Sequence, residues 1–324
     1  MTEFGNITVA AVQAAPQWFD SAASTVKACS LINEAAADGA QLAAFGETWL
    51  PGYPFFAGER DSPLVRRARA EYLANAIEIP GPETDALCSA AREAGIDVVI
   101  GVVELDSTTR STCYCTLLFI DSSGEIMSRH RKLKPTGAER TVWGEGDGVG
   151  LTVHQRDYGR ISGLNCFEHI MMLPGYALAA QGTQIHVSAW PTVDSSSKGE
   201  LLSRAFAVQA GCYVVAVGTL RTTESVPERF AELHESGWTF SGNSCIVDPE
   251  GEVVARAEGG VETILLHDIS MESVYAAKVG RDIGGHYSRP DILSLNVNRK
   301  PLFRLREGDD SPEPDNPNVE DGVD

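Results

Sequence analysis

Short apolar runs alternate with helix-forming stretches along the first third of the chain, and this rhythm restricts the fold more than any other feature. Residues 7–13 read as a buried strand. Ser21–Ala37 is alanine-rich with apolar residues at helical spacing, and Gly39 suits its end. Leu42–Phe45 reads as a second strand running into Gly46-Glu47. Residues 64–76 and 83–94 read as helices, and residues 97–104 as a further strand. Such a β-α-β-α-β order argues for an α/β layered protein. Two β-hairpin patterns come next, one turning at Asp121-Ser122-Ser123-Gly124 and one at Asp248-Pro249-Glu250-Gly251, and their likeness hints at internal pseudo-symmetry. Between them lie strand patterns at 160–164, 185–189 and 213–217, and helix patterns at 170–180 and 200–210. With 43% apolar residues and no linker-like stretch, one globular domain is expected over residues 5–300.

The formal charge of −19, from 45 acids against 26 bases, argues against nucleic acid or an anionic membrane surface as a partner. Eight of the acids lie in the stretch 307–324 with three prolines and no Lys or Arg, so residues 301–324 are expected to form an extension with a disordered acidic tail. No run of eighteen apolar residues suggests a membrane span, and no basic segment precedes residues 7–15 as in a secretory leader. A cytoplasmic protein is therefore expected. Its seven scattered cysteines do not suggest a disulfide framework.

Three polar residues sit where strand patterns end: Glu47, Lys132 and Cys166. Sites in α/β proteins gather at the carboxyl ends of strands. There a carboxylate could take a thiol proton, while an ammonium lowers the thiol pKa and steadies negative charge. The stretch Gly163-Leu164-Asn165-Cys166-Phe167-Glu168-His169 reads as a strand running into a helix start, whose N–H groups would face the sulfur. Each residue also has an ordinary alternative. Cys166 could be a small core residue, Glu47 a loop cap, Lys132 part of a solvated basic face, and Glu139 and Arg140 a surface pair. Rival motifs fare worse. Gly144, Gly146, Gly148 and Gly150 lack the dinucleotide spacing. Cys113 and Cys115 lack the further ligands of a metal site, and the histidines form no H-x-x-x-H pair, so no metal is expected.

Taken jointly, several stretches resemble the nitrilase branch of the carbon–nitrogen hydrolase (nitrilase) superfamily. They are Phe45-Gly46-Glu47-Thr48-Trp49-Leu50-Pro51-Gly52-Tyr53-Pro54, His130-Arg131-Lys132-Leu133-Lys134-Pro135-Thr136 and the segment around Cys166. Glu139-Arg140-Thr141-Val142-Trp143-Gly144-Glu145-Gly146-Asp147-Gly148 is similar to the segment after the lysine in nitrilases. Gly285-His286-Tyr287-Ser288-Arg289-Pro290-Asp291 looks like their late motif. The resemblance implies a four-layer α-β-β-α sandwich and a catalytic triad of Glu47, Lys132 and Cys166, with Glu139 in support and the Phe167 backbone N–H as an oxyanion donor. Phe167 stands where nitrilases usually have tryptophan. Tyr53, His169 and Trp190 are candidates for the substrate pocket. The implied reaction converts a nitrile to an acid and ammonia through a covalent cysteine thioimidate and thioester. It needs no cofactor, and a homo-oligomer is implied. Alternatives are an amidase or carbamoylase, a cyanide-hydrolysing relative, or a silent binding protein on the same fold.

Overall fold

A computed structural model describes residues 5–194, 198–236 and 240–305. The acidic stretch 307–324 lies outside them. Two six-stranded sheets organise the chain. The first contains β1 (Asn6–Gln13), β2 (Leu42–Phe45), β3 (Asp97–Leu105), β4 (Cys113–Ile120) and β5 (Ile126–Arg131). The second contains β6 (His154–Arg156), β7 (Gly159–Asn165), β8 (Ile185–Trp190), β9 (Tyr213–Gly218), β10 (Cys245–Val247) and β11 (Val253–Arg256). The last strand, β12 (Thr263–Ser270), returns to pair with β1. The helices are α1 (Ser21–Ala37), α2 (Pro63–Ala74), α3 (Pro82–Ala94), α4 (Met172–Ala180), α5 (Gly199–Ala210), α6 (Ala231–Ser236) and α7 (Met271–Gly280).

The hint of pseudo-symmetry is borne out. The orders are β12-β1-β2-β3-β4-β5 and β6-β7-β8-β9-β10-β11. In each sheet an antiparallel edge strand leads into three parallel strands, then two antiparallel ones. The two hairpin turns match atom for atom. Gly124 N–H and Gly251 N–H donate back to the carbonyls of Asp121 and Asp248. Each aspartate side chain accepts from the backbone two and four residues on. Both glycines hold a left-handed φ, 82° and 84°, which this turn demands.

Alternation along the strands sets the layering. Val9, Ala11, Leu42, Ala44 and Val99 of the first sheet meet Ile185, Val187, Val215 and Val217 of the second. The opposite faces carry Ala10, Val12, Ala43 and Phe45, which pack under Ile32 of α1 and Leu87 of α3. Val214 and Ala216 pack under Phe206 and Ala207 of α5. Four layers result, α-β-β-α, as expected. A fully buried Val, Leu or Ile contributes about 1.5–3 kcal/mol to each interface. The expected helix at 170–180 is shorter, beginning at Met172. Short β6, the final strand β12 and helices α6 and α7 were not read from the sequence. Among the described residues no helix is long and apolar enough to cross a membrane.

Candidate active site

The carboxyl ends of β2, β5 and β7 bring Glu47, Lys132 and Cys166 together, although β2 and β5 belong to one sheet and β7 to the other. Glu47 sits in a turn directly after β2, and its N–H donates to the Trp190 carbonyl at the end of β8 (3.2 Å). That bond joins the two sheets at the site. The turn fits only because Gly46 and Gly101 lack side chains. A Cβ on Gly101 would lie 2.3 Å from the Gly46 oxygen and 2.4 Å from the Thr48 nitrogen.

Lys132 is fully buried, so the solvated-face alternative for it does not hold. Its Nζ donates to Glu47 Oε1 (2.7 Å) and Glu139 Oε2 (2.8 Å). Burial alone would lower its pKa, but Glu47, Cys166 and Glu139 outweigh burial and hold it well above the usual lysine value. It remains an ammonium. Glu139 is fixed from two further sides, by the Tyr53 hydroxyl on Oε1 (2.7 Å) and the Thr136 N–H on Oε2 (2.6 Å). Burial, then Glu139 and Glu47, raise the Tyr53 pKa well above its usual value, so the phenol keeps the proton it donates. The glycine-rich stretch lies alongside, with the Gly146 N–H donating to the Lys132 carbonyl (2.9 Å).

Glu47 has two unlike oxygens. Oε1 accepts from Lys132 and from the Cys115 thiol (3.4 Å), whereas Oε2 is buried with no hydrogen-bond partner among the described residues. Burial raises the Glu47 pKa to about 7, with Lys132 opposing and Glu139 adding to the rise. A carboxyl poised there can take and return a proton at neutral pH.

Cys166 leaves β7 with φ of 43°, a left-handed backbone that costs a non-glycine residue on the order of 1–3 kcal/mol. Its Sγ and one carboxylate oxygen each of Glu47 and Glu139 lie within 4.8 Å of one another. Two oxygens and a sulfur so close could suggest a cation site, but the Lys132 ammonium already bonds both carboxylates and supplies the positive charge itself.

Two expectations about the thiol need correction. The residues after it form one 3-10 turn, Cys166–His169, and α4 begins only at Met172, so no long helix aims its N-terminus at the sulfur. The remaining donor is the Phe167 backbone N–H, which favours the thiolate. Nor does Lys132 bring the thiol pKa down. Burial, then Glu47, push it well above its usual value, and the ammonium only partly offsets them. The resting nucleophile is a protonated thiol.

The pocket candidates lie in different surroundings. Tyr53 bonds Glu139 and meets Trp143 edge-on at 5.6 Å. Trp190 is buried, its ring stacked on His169 at 5.3 Å, and His169 Nδ1 lies 2.8 Å from the Cys166 carbonyl. The Phe167 side chain is exposed. The late motif runs over the surface after α7, where His286 bonds Asp282 (2.8 Å). A cavity of about 840 Å³ opens far from this chemistry, at the amino-terminal ends of the strands beside Asn6, Gln41, Gly159 and Gln184.

Two contributors escaped the sequence reading. Cys115 was noted only as a poor metal ligand, yet its thiol holds Glu47. Glu168 stood inside the cysteine motif without a role. It is fully buried and accepts from His130 Nε2 (3.0 Å), Leu133 N–H (2.9 Å) and Asn165 N–H (2.9 Å), tying the Lys132 loop to the Cys166 loop. Its presence in a motif three residues after Asn165, a capping-box spacing, was the available signal.

Comparison with known proteins places the chain. The carbon–nitrogen hydrolase family model matches residues 8–279. A protein named Nitrilase 2, from an unknown prokaryotic organism, is 55% identical over 95% of this chain and 98% of its own length. An aliphatic nitrilase of Rhodococcus rhodochrous is 38% identical over 93% of this chain and 85% of its own. The crystal structure of Saccharomyces cerevisiae Nit3, described as a member of branch 10 of the nitrilase superfamily, shares the fold with a TM-score of 0.67. It is 20% identical and covers 87% of this chain and 96% of its own. A family match over most of the length, on a sandwich that gathers a carboxylate, an ammonium and a thiol, assigns this chain to the carbon–nitrogen hydrolase family.

Proposed function

We propose that the chain is a nitrilase, hydrolysing an organic nitrile to the carboxylic acid and ammonia. The observation that carries this reading is the buried Glu47–Lys132–Glu139 cluster facing the Cys166 thiol. The nitrilase names of the relatives favour a nitrile over an amide as substrate.

Cys166 Sγ attacks the nitrile carbon. Because the thiol is protonated at rest and Glu47 has a pKa of about 7, the proton passes to Glu47 as the C–S bond forms, and then to the nitrile nitrogen. A thioimidate results. Water, deprotonated by Glu47, adds to its carbon, and Glu47 returns that proton to the nitrogen. The new hydroxyl then gives its proton to the same nitrogen through Glu47, ammonia leaves, and a thioester remains. A second water releases the acid and restores the thiol. Lys132 and the Phe167 N–H steady the charge that develops on nitrogen and then on oxygen. Losing one such donor typically costs on the order of 10²-fold in rate or more.

Ammonia release tests the reading, using an arylacetonitrile, an aromatic nitrile, an aliphatic dinitrile, cyanide and one matching amide, with wild type beside Cys166→Ala. Release from an organic nitrile that vanishes in the variant supports it. Release from the amide alone moves the chain to the amidase branch, and release from cyanide alone to a cyanide-hydrolysing role. The proposed partners are a small nitrile and further copies of this chain. Exposed Met172, Leu173, Leu201 and Val279 support self-association, and a monomer in gel filtration would refute it.

A further inference from the structure

Behind the nucleophile, on the face of the second sheet covered by α5, runs a buried chain of polar side chains that the proposed reaction does not use. His169 Nδ1 lies 2.8 Å from the Cys166 carbonyl oxygen. A carbonyl only accepts, so the proton sits on Nδ1, and His169 Nε2 is left as an acceptor. Burial holds His169 at a pKa of about 4 and His186 well below its usual value, so both rings are neutral at pH 7. His186 Nε2 is 3.0 Å from His169 Nε2, and two bare nitrogens would repel at that distance. His186 therefore carries its proton on Nε2 and donates it to His169. Its Nδ1 accepts from Ser162 Oγ (2.8 Å), and Ser162 accepts from Thr183 Oγ1 (2.6 Å). Ser188 Oγ accepts from Trp190 Nε1 (2.6 Å) and Ser203 (3.1 Å) and lies 2.9 Å from His169 Nε2, where its own proton shares the single Nε2 lone pair with the His186 N–H. These tautomers are assigned from the network, and they point every proton toward Cys166.

The ring that ends this chain is packed between two aromatic side chains. It stacks on Trp190 at 5.3 Å and meets Phe206 edge-on at 6.3 Å. The bond it makes falls on the residue whose backbone is left-handed, at φ 43°. We infer that His169 is a positioning residue whose Nδ1–H, oriented by the Thr183–Ser162–His186 chain, clamps the Cys166 carbonyl and so holds the nucleophile's strained backbone with its sulfur toward Glu47. His169 acts through Cys166 and need not touch substrate. This inference deepens the proposed nitrilase reading and rests on it for the rate effects alone.

The test compares His169→Leu, His169→Asn and His169→Gln in the full chain. An asparagine amide N–H lies near the place of Nδ1–H and can restore the clamp, whereas the glutamine amide reaches the Nε2 side. Two readouts are taken: kcat and KM for a nitrile, and the rate of iodoacetamide labelling of Cys166, measured by peptide mass mapping. In His169→Leu and His169→Gln, kcat and labelling rate are expected to fall tenfold or more, with KM within about threefold of wild type. Both rates should recover to within about threefold in His169→Asn. Wild-type labelling in His169→Gln, or no recovery in a His169→Asn protein with native circular dichroism, overturns the inference. Labelling needs no turnover, so a wild type that hydrolyses no nitrile or amide would defeat the functional reading and still leave the clamp tested.

Discussion

Glu47 and Glu168 are both fully buried carboxylates beside the same two loops, yet their surroundings drive them in opposite directions. Burial alone would raise both. At Glu168 it is outweighed by His130 and by the N–H groups of Leu133 and Asn165, and the pKa falls below the ordinary glutamate value. At Glu47 burial prevails and the pKa rises to about 7, even with a lysine at 2.7 Å. The difference lies in the oxygens. Glu168 has a donor on each. Glu47 crowds its donors onto Oε1, and Oε2 has none among the described residues. A carboxylate with a donor on each oxygen becomes a structural tie, and one with a donor-free oxygen stays basic enough to work.

That contrast can be broken by substitution. Glu47→Gln should lower kcat/KM by about 10³-fold or more while the chain stays folded, because an amide cannot accept the proton. Turnover near the wild-type rate would remove Glu47 as the base. Glu168→Leu should act on stability. It strands the buried His130, Leu133 and Asn165 donors, at a cost on the order of 3–5 kcal/mol read from the urea midpoint. If the midpoint is unmoved and only activity drops, Glu168 is no tie.

The pH profile sharpens the comparison further. The base must be ionised, so kcat/KM should rise as pH increases through about 7 and fall on the acid side, where Glu47 is protonated. A rise centred near the ordinary glutamate value would contradict the burial argument. The smallest expected effect belongs to Cys115→Ala. Its thiol bond lowers the Glu47 pKa, so its loss should move that acid limb to higher pH with only a few-fold change in the plateau. A limb that shifts the other way would show that the Cys115 contact does not stabilise the carboxylate.

Local pattern made much of this molecule legible. Ser21–Ala37 and Leu42–Phe45 were read to the residue, because an amphipathic helix and a short apolar strand each declare their period within a few residues. Strand β12 was missed because it pairs with β1 across 250 residues or more, and its partly exposed TILLHDIS carries no sharp alternation. The hairpin likeness foretold a duplicated sheet, since a tight turn states its chemistry in four residues.

At the site, sequence alone determined which groups are present: Glu47, Lys132 and Cys166 stand at strand ends, and Glu139 in the motif that follows the lysine. Only the tertiary structure decided their ionisation. Whether Lys132 lies in water or between two buried carboxylates, whether the Cys166 thiol is lowered by an ammonium or raised by burial, and whether Glu168 is surface or clamp all depend on groups far apart in the chain. Charge stability is set by the dielectric and by donors within a few ångströms, and a linear sequence holds neither.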